Sequence, residues 1–153
     1  MERRSALAAI AATGALLGVA RNSLAAEKHS GGHGHHQGDH FAHCAKTCSE
    51  CATECGSCFN HCATLATQGS KAHIETMRLC NDCQVICAAA ATLSARSGPL
   101  ATTLCEACIV ACEHCAKACG KFPDDAHMTA CAKSCLACID ACKAMIAAEK
   151  HTG

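Results

Sequence analysis

Apolar positions recur in steps of three and four residues along four stretches of this chain, and cysteines occupy them. In CAKTCSECATECGSCFNHC, residues 44–62, the steps between successive cysteines are four, three, four, three and four. Further runs that begin at Cys80, Cys105 and Cys131 keep to steps of three and four. This repeat is typical of a helix face that packs against partner helices, whereas a strand needs steps of two. Each run therefore predicts an α-helix whose inward face consists of thiols.

Glycine, proline and polar residues separate the four runs. The gaps read TQGSKA, SARSGPL and GKFPDD, and they contain both prolines of the chain, Pro99 and Pro123. Such residues end helices, and short gaps make neighbouring helices antiparallel. The predicted helices cover residues 41–66, 71–95, 100–120 and 125–149. The predicted fold class is all-α, an antiparallel up-down-up-down four-helix bundle with a Cys-lined core.

The composition leaves little material for a conventional hydrophobic core. The 153 residues include 18 cysteines and 11 histidines but no tryptophan or tyrosine, and only three phenylalanines. Cysteine buries far less apolar surface than leucine, so burial alone does not explain the thiols. The formal net charge of zero argues against nucleic acid or an anionic membrane surface as a partner.

The first 25 residues predict an export signal rather than part of the fold. They combine Arg3-Arg4, a mildly apolar stretch and a small-residue cleavage site at Ser23-Leu24-Ala25. Paired arginines before a weakly apolar stretch are typical of the twin-arginine route, which exports folded proteins and predicts a periplasmic location. The stretch is shorter than the ~20 residues that a membrane span needs, so no span is expected in the mature chain.

Residues 26–40 predict a flexible leader, with five histidines among glycines and polar residues. Such a segment cannot build a packed core. It is either a solvated leader or a weak collecting site for Cu(II), Ni(II) or Zn(II), and the sequence leaves both open. The Cys-rich bundle accordingly covers residues 41–150.

The cysteine spacing also predicts a metal-binding chemistry. Cysteines four residues apart lie one above the other on a helix face, so their sulfurs can converge on one ion. The chain has eight such C-x3-C pairs, and C-x2-C steps join them into continuous ladders. Soft thiolates favour Cu(I), which accepts two or three ligands, so we expect multiple Cu(I) ions along the core. The candidate ligands are Cys44, Cys48, Cys51, Cys55, Cys58, Cys62, Cys80, Cys83, Cys87, Cys105, Cys108, Cys112, Cys115, Cys119, Cys131, Cys135, Cys138 and Cys142.

Other uses of the cysteines compete with Cu(I) binding. A disulfide-stapled bundle is disfavoured because neighbouring thiols on one helix have parallel Cα–Cβ bonds, which suit a shared metal better than an S–S bond. An iron–sulfur protein would need C-x2-C-x2-C turns, which none of the four runs contains. A thiolate buffer for Zn(II) or Cd(II) stays open, although tetrahedral zinc needs ligands from several helices. No Ser-His-Asp set, phosphate loop or carboxylate pair stands out, so we expect no enzyme activity.

Together these features resemble the copper storage protein family of four-helix bundles. The resemblance rests on the export signal, the His-rich leader, the four Cys-laddered helices, His61 directly before Cys62, and CGKFPDD between the third and fourth helices. It implies that Cu(I) is stored along the bundle core, bound mainly by C-x3-C pairs, in an exported protein. It also implies a homo-oligomer, namely a tetramer, and a supply of copper to copper enzymes or chaperones.

One end of the predicted bundle gathers the candidate ligands for incoming copper. Antiparallel packing brings together the end of the first helix, the start of the second, the end of the third and the start of the fourth. The candidates there are His61, His73, Met77, His127 and Met128. Imidazole and thioether can pass on Cu(I), although packing is the alternative role of the methionines. The family has methionines after the first helix where this chain has Leu65 and Gln68, which favours histidine here.

Overall fold

The computed structural model describes residues 35–150, which form four α-helices joined by short loops. α1 covers His35–Thr67, α2 covers His73–Ala95, α3 covers Ala101–Cys119 and α4 covers Ala126–Lys150. Residues 1–34 and 151–153 lie outside the described part of the chain, and side chains are described from residue 38 onward. Residues 35–150 contain no β-strand. The predicted all-α four-helix class is therefore confirmed.

The helix boundaries agree with the cysteine pattern except at the start of α1. The other three helices begin and end within two residues of their predicted positions. α1 begins at His35 instead of residue 41, so residues 35–40 of the predicted flexible leader are helical. Gly38 is the one residue among them that strongly disfavours a helix, and buried Phe41 anchors the next turn in the core. The rest of the leader and the predicted export signal lie outside the described residues.

The turn after α1 shows how the chain reverses direction. Gly69 has a φ of 96°, in the left-handed region that favours glycine. The N–H of Gly69 donates to the Ala66 carbonyl, and the N–H of Ser70 donates to the Leu65 carbonyl, each at 3.0 Å. These bonds satisfy the last carbonyls of α1, as in a Schellman motif. The chain can therefore enter α2 within a few residues, antiparallel to α1.

Each helix packs against two neighbours, so that the four form a ring. α1 contacts α2 and α4, and α3 contacts the same two helices. Within residues 35–150, the backbones of the diagonal pairs, α1 with α3 and α2 with α4, do not approach closely. The ring therefore surrounds a central space, which side chains from all four helices fill.

Cysteine makes up most of that interior. All 18 cysteines are buried, with a fractional exposure of at most 1%. The other large buried apolar side chains are few, and they are Phe41, Met128, Ile139, Met145 and Ile146. No helix within residues 35–150 combines the length and the apolarity that crossing a membrane requires.

Candidate metal-binding core

The four inward helix faces form one column of sulfur along the bundle axis. α1 contributes six cysteines, α2 three, α3 five and α4 four, and all of them are free thiols. The shortest sulfur contact between cysteines joins the Sγ atoms of Cys87 and Cys108 at 3.3 Å. A disulfide bond would bring two sulfurs to about 2.05 Å. The column therefore consists of thiols in contact rather than of cross-links.

Part of the sulfur contact follows the spacing within single helices. Four C-x3-C pairs have Sγ atoms 3.7–4.0 Å apart, namely Cys44–Cys48, Cys51–Cys55, Cys83–Cys87 and Cys108–Cys112. At this separation a small shift of both side chains allows the two sulfurs to bind one ion between them. The spacing in the sequence predicted these pairs.

Contacts between helices are at least as close. The Sγ atom of Cys44 lies 3.5 Å from that of Cys105, and the Sγ atom of Cys48 lies 3.5 Å from that of Cys142. These contacts join α1 to α3 across the axis and α1 to α4 beside it. Thiols such as Cys44 and Cys48 therefore have partners both along their own helix and on other helices.

Such contacts create groups of four thiols whose Sγ atoms all lie within 4.8 Å of one another. They include five fully buried groups: Cys48, Cys108, Cys138 and Cys142; Cys51, Cys83, Cys87 and Cys112; Cys51, Cys55, Cys83 and Cys135; Cys55, Cys115, Cys131 and Cys135; and Cys58, Cys80, Cys119 and Cys131. Each group takes thiols from three or four helices. Four converging sulfurs are also the ligand set of tetrahedral zinc, so the ring of helices supplies what a single helix face lacks.

Hydrogen bonds among the thiols shift the pKa values of neighbouring cysteines in opposite directions. Hydrogen bonds with Cys112 and Cys135 lower the pKa of the Cys51 thiol below its ordinary value. Hydrogen bonds to Cys115 and Cys131 raise the pKa of the neighbouring Cys55 thiol, and burial adds to this rise. A bound metal ion replaces these protons, so protons and metal compete for the column.

Met128 extends the column at the end where α1 finishes and α4 begins. Its side chain is fully buried, and its Sδ atom lies 3.5 Å from the Sγ atom of Cys58 and 4.0 Å from that of Cys62. Burial and the nearby Cys58 raise the pKa of the Cys62 thiol to about 12. The thioether needs no deprotonation before it binds a soft ion, so it differs from the thiols below it.

Asp125 organises the surface of this end. Its Oδ1 atom accepts hydrogen bonds from the N–H groups of His127 and Met128, at 2.9 and 3.2 Å, and so caps α4. Its Oδ2 atom lies 2.7 Å from Nε2 of His61, whose ring stacks on that of His127 with centroids 4.3 Å apart. Partial burial opposes ionisation, but these hydrogen bonds hold the pKa of the Asp125 carboxyl below its usual range. One carboxylate thus contacts the His61 ring and the backbone N–H groups of His127 and Met128, which are three of the candidate ligands for incoming copper.

The other two candidates at this end take part in packing. His73 stacks on Phe122 with ring centroids 4.2 Å apart, and its Nδ1 atom lies 2.6 Å from the Ser70 hydroxyl. Met77 is half-buried against the core. Beside it, the buried Thr76 hydroxyl has no hydrogen-bond partner among the described residues.

Asp125 is not among the site residues predicted from the sequence, although a signal for it exists. An aspartate that follows a proline and precedes a helical run is typical of a helix N-cap. The spacing of Asp125 from the cysteines gives no sign that its second carboxylate oxygen reaches His61, because that contact depends on how α1 and α4 align.

The part of the chain that forms this column matches a known protein family. The sequence model of the copper storage protein family matches residues 36–147, a range that includes every cysteine of the chain. The chain belongs to the copper storage protein family. The resemblance predicted from the Cys ladders is thereby confirmed.

Two solved structures are similar to this family member. The Cu(I)-bound copper storage protein BsCsp3 has 33% sequence identity and a TM-score of 0.60, over 67% of this chain and 94% of that chain. A cytosolic copper storage protein from Streptomyces lividans, in a copper-loading structure with five coppers, has 25% identity and a TM-score of 0.65. That match covers 74% of this chain and 98% of the other. Among curated proteins, nothing matches the chain.

The column of this copper storage family member can hold soft ions in two ways. Pairs of thiols offer two sulfurs to an ion that accepts linear coordination, and the groups of four offer a tetrahedral set. Four of the five named groups share thiols with a neighbouring group, so ions at those positions would be bridged by common sulfurs. The arrangement therefore suits many ions of one soft metal rather than a single isolated centre.

Proposed function

We propose that this protein stores several Cu(I) ions, bound by the 18 cysteine thiolates of the bundle core. The observation that carries the proposal is the continuous column of buried, free thiols in mutual contact. Soft sulfur ligands select Cu(I) over hard cations, and the buried site excludes water from the bound ions. One similar structure is Cu(I)-bound and another holds five coppers, which supports the same metal for this chain.

A Zn(II) or Cd(II) buffer is the second candidate, and the groups of four thiols favour it. The two functions differ in stoichiometry, because Cu(I) shared between pairs of bridging thiolates approaches about one ion per thiol. Tetrahedral zinc needs four sulfurs for each unshared site and saturates far lower.

Anaerobic titration of the reduced protein with Cu(I), against a competing chelator, tests the proposal. We expect tight binding that continues to about one Cu(I) per thiol, because every thiol lies in the column. A parallel titration with Zn(II) should saturate at a small fraction of that number. Tight binding of a few zinc ions with weak, non-saturating copper binding would overturn Cu(I) storage.

We propose storage rather than catalysis as the role of the column. One motif repeated along four helices provides capacity, whereas an active site depends on a few residues with distinct tasks. The stored copper would then be supplied to copper enzymes or chaperones. A homotetramer is proposed on the resemblance to the family, and sedimentation of the reduced protein tests it.

We propose that the protein is exported to the periplasm by the twin-arginine route. Residues 1–25 support this by their paired arginines, weakly apolar stretch and small-residue cleavage site. Folding before export would keep the thiols away from oxidants until they are buried. The route is tested by measuring the mass of the chain in the periplasmic fraction. The wild type is compared with the double variant Arg3→Lys and Arg4→Lys.

Copper is proposed to enter the column at the end that contains Met128, past His61 and His127, with His73 and Met77 at its margin. We expect Met128→Leu to slow loading about tenfold, which corresponds to the loss of about 1.4 kcal/mol of stabilisation along the path. Leucine keeps the volume but removes the sulfur that Cys58 and Cys62 contact. Stopped-flow transfer of Cu(I) from a chelator measures the rate.

Met145→Leu provides the matched control, since Met145 is equally buried at the opposite end of the column. Its loading rate should equal that of the wild type. Equal slowing in both variants, or slowing in the Met145 variant alone, would contradict entry past Met128.

A further inference from the structure

The inward face of α2 ends in a hydroxyl rather than a thiol. Beyond Cys87 this face continues through Ala90 to Ser94, and the Ser94 side chain is 1% exposed. Its Oγ atom donates to the Sγ atom of Cys44 at 3.7 Å and lies 3.6 Å from that of Cys105. Ser94 is not among the site residues predicted from the sequence, although it stands seven residues after Cys87, at a position that continues the ladder.

The sulfurs around Ser94 belong to a cluster from three other helices. Cys44 and Cys105 are 3.5 Å apart, and Cys44 also contacts Cys48 and Cys142 at 3.8 Å each. α1, α3 and α4 therefore supply thiols at this end of the column, while α2 supplies the hydroxyl. A neutral hydroxyl oxygen is a hard, weak ligand for Cu(I), so its contribution is the O–H group.

The strength of the hydrogen bond from the Ser94 O–H group depends on whether the sulfurs are protonated or bound to metal. A neutral thiol is a weak hydrogen-bond acceptor, so the buried hydroxyl is poorly satisfied when the cluster is protonated. A thiolate bound to Cu(I) carries negative charge, and hydrogen bonds to charged acceptors are about twice as strong as neutral ones. The same contact therefore strengthens when metal replaces the protons.

We propose that Ser94 is a positioning residue, which donates its O–H to the Cu(I)-bound thiolate of Cys44 or Cys105 and stabilises the copper site at this end. The inference rests on the proposed storage of Cu(I). Donation to a ligand sulfur orients that sulfur and offsets its charge without occupying a coordination position, as outer hydrogen bonds do in other metal sites.

The Ser94→Ala substitution is expected to affect the stability of the apo protein and of the copper-bound protein differently. Without copper, the variant should unfold at the same denaturant concentration as the wild type or slightly higher, because a poorly satisfied hydroxyl is removed. With copper, it should be less stable than the wild type, and about one equivalent of Cu(I) should bind about tenfold more weakly. Anaerobic denaturation and chelator competition measure the two effects.

Ser57→Ala is the matched control, because Ser57 is an exposed serine on α1 outside the column. It should match the wild type in both states. Equal copper affinity in Ser94→Ala and the wild type would overturn the inference, as would the same loss of stability with and without copper. Failure of the wild type to bind Cu(I) would instead overturn the proposed function.

Discussion

Alanine at both Cys51 and Cys55 is expected to lower the copper capacity by at least two ions while the helical fold is retained. The two thiols belong to three of the five described groups of four, so their loss also removes bridging sulfurs from neighbouring positions. Each removed thiol leaves a cavity about the size of a methyl group, which costs about 1 kcal/mol. Circular dichroism checks the fold, and Cu(I) titration under a chelator measures the capacity.

The matched control is the double variant Cys44→Ala and Cys62→Ala, which removes two thiols near opposite ends of the column. Each of these thiols lies near an end of the column, where an ion has sulfur neighbours on one side only, so the loss of capacity should be smaller than for the central pair. Unchanged capacity in the central variant would show that copper is bound elsewhere. Equal losses in both variants would contradict the bridging role of the central thiols.

Filling the column with Cu(I) is expected to raise the melting temperature by tens of degrees. The apo core depends on cysteine, which contributes little by burial, whereas each bound ion stabilises the folded state. A free ion concentration of 100 times Kd contributes about 2.7 kcal/mol per site, so two sites alone provide about 5 kcal/mol. For a domain of this size that corresponds to a rise of roughly 20 °C.

Thermal unfolding of the reduced protein, followed by circular dichroism without oxygen, measures this effect. The gain should decrease as the pH falls, because protons compete with Cu(I) for the thiolates. Removal of copper by excess chelator should restore the lower melting temperature. A melting temperature that does not respond to copper would place the bound ions outside the folded core.

The cysteine pattern was sufficient to predict the helices and the inward face of each one. Steps of three and four specify which side of a helix is buried, and Gly69 and Pro99 mark where helices must end. The start of α1 was wrong by six residues because the ladder begins at Cys44, and nothing in a ladder shows how far a helix extends before it.

The contacts between helices could not be derived in the same way. Spacing within a helix does not determine how one helix slides along the next, and that alignment decides which four thiols meet. The bond from Asp125 to His61 and the position of Ser94 beside Cys44 depend on the same alignment. Both involve oxygen atoms at the ends of the sulfur column, which a search of the sequence for cysteine ligands does not select.

The overlap between neighbouring groups of four thiols affects how bound copper moves within the core. The group of Cys51, Cys55, Cys83 and Cys135 shares Cys51 and Cys83 with one neighbouring group, and Cys55 and Cys135 with another. An ion that shifts from one group to the next along the axis can keep two sulfur contacts throughout. Over the stretch that these three groups cover, migration by ligand exchange needs no hydrated intermediate, so copper can move through the interior while the helical wall stays closed.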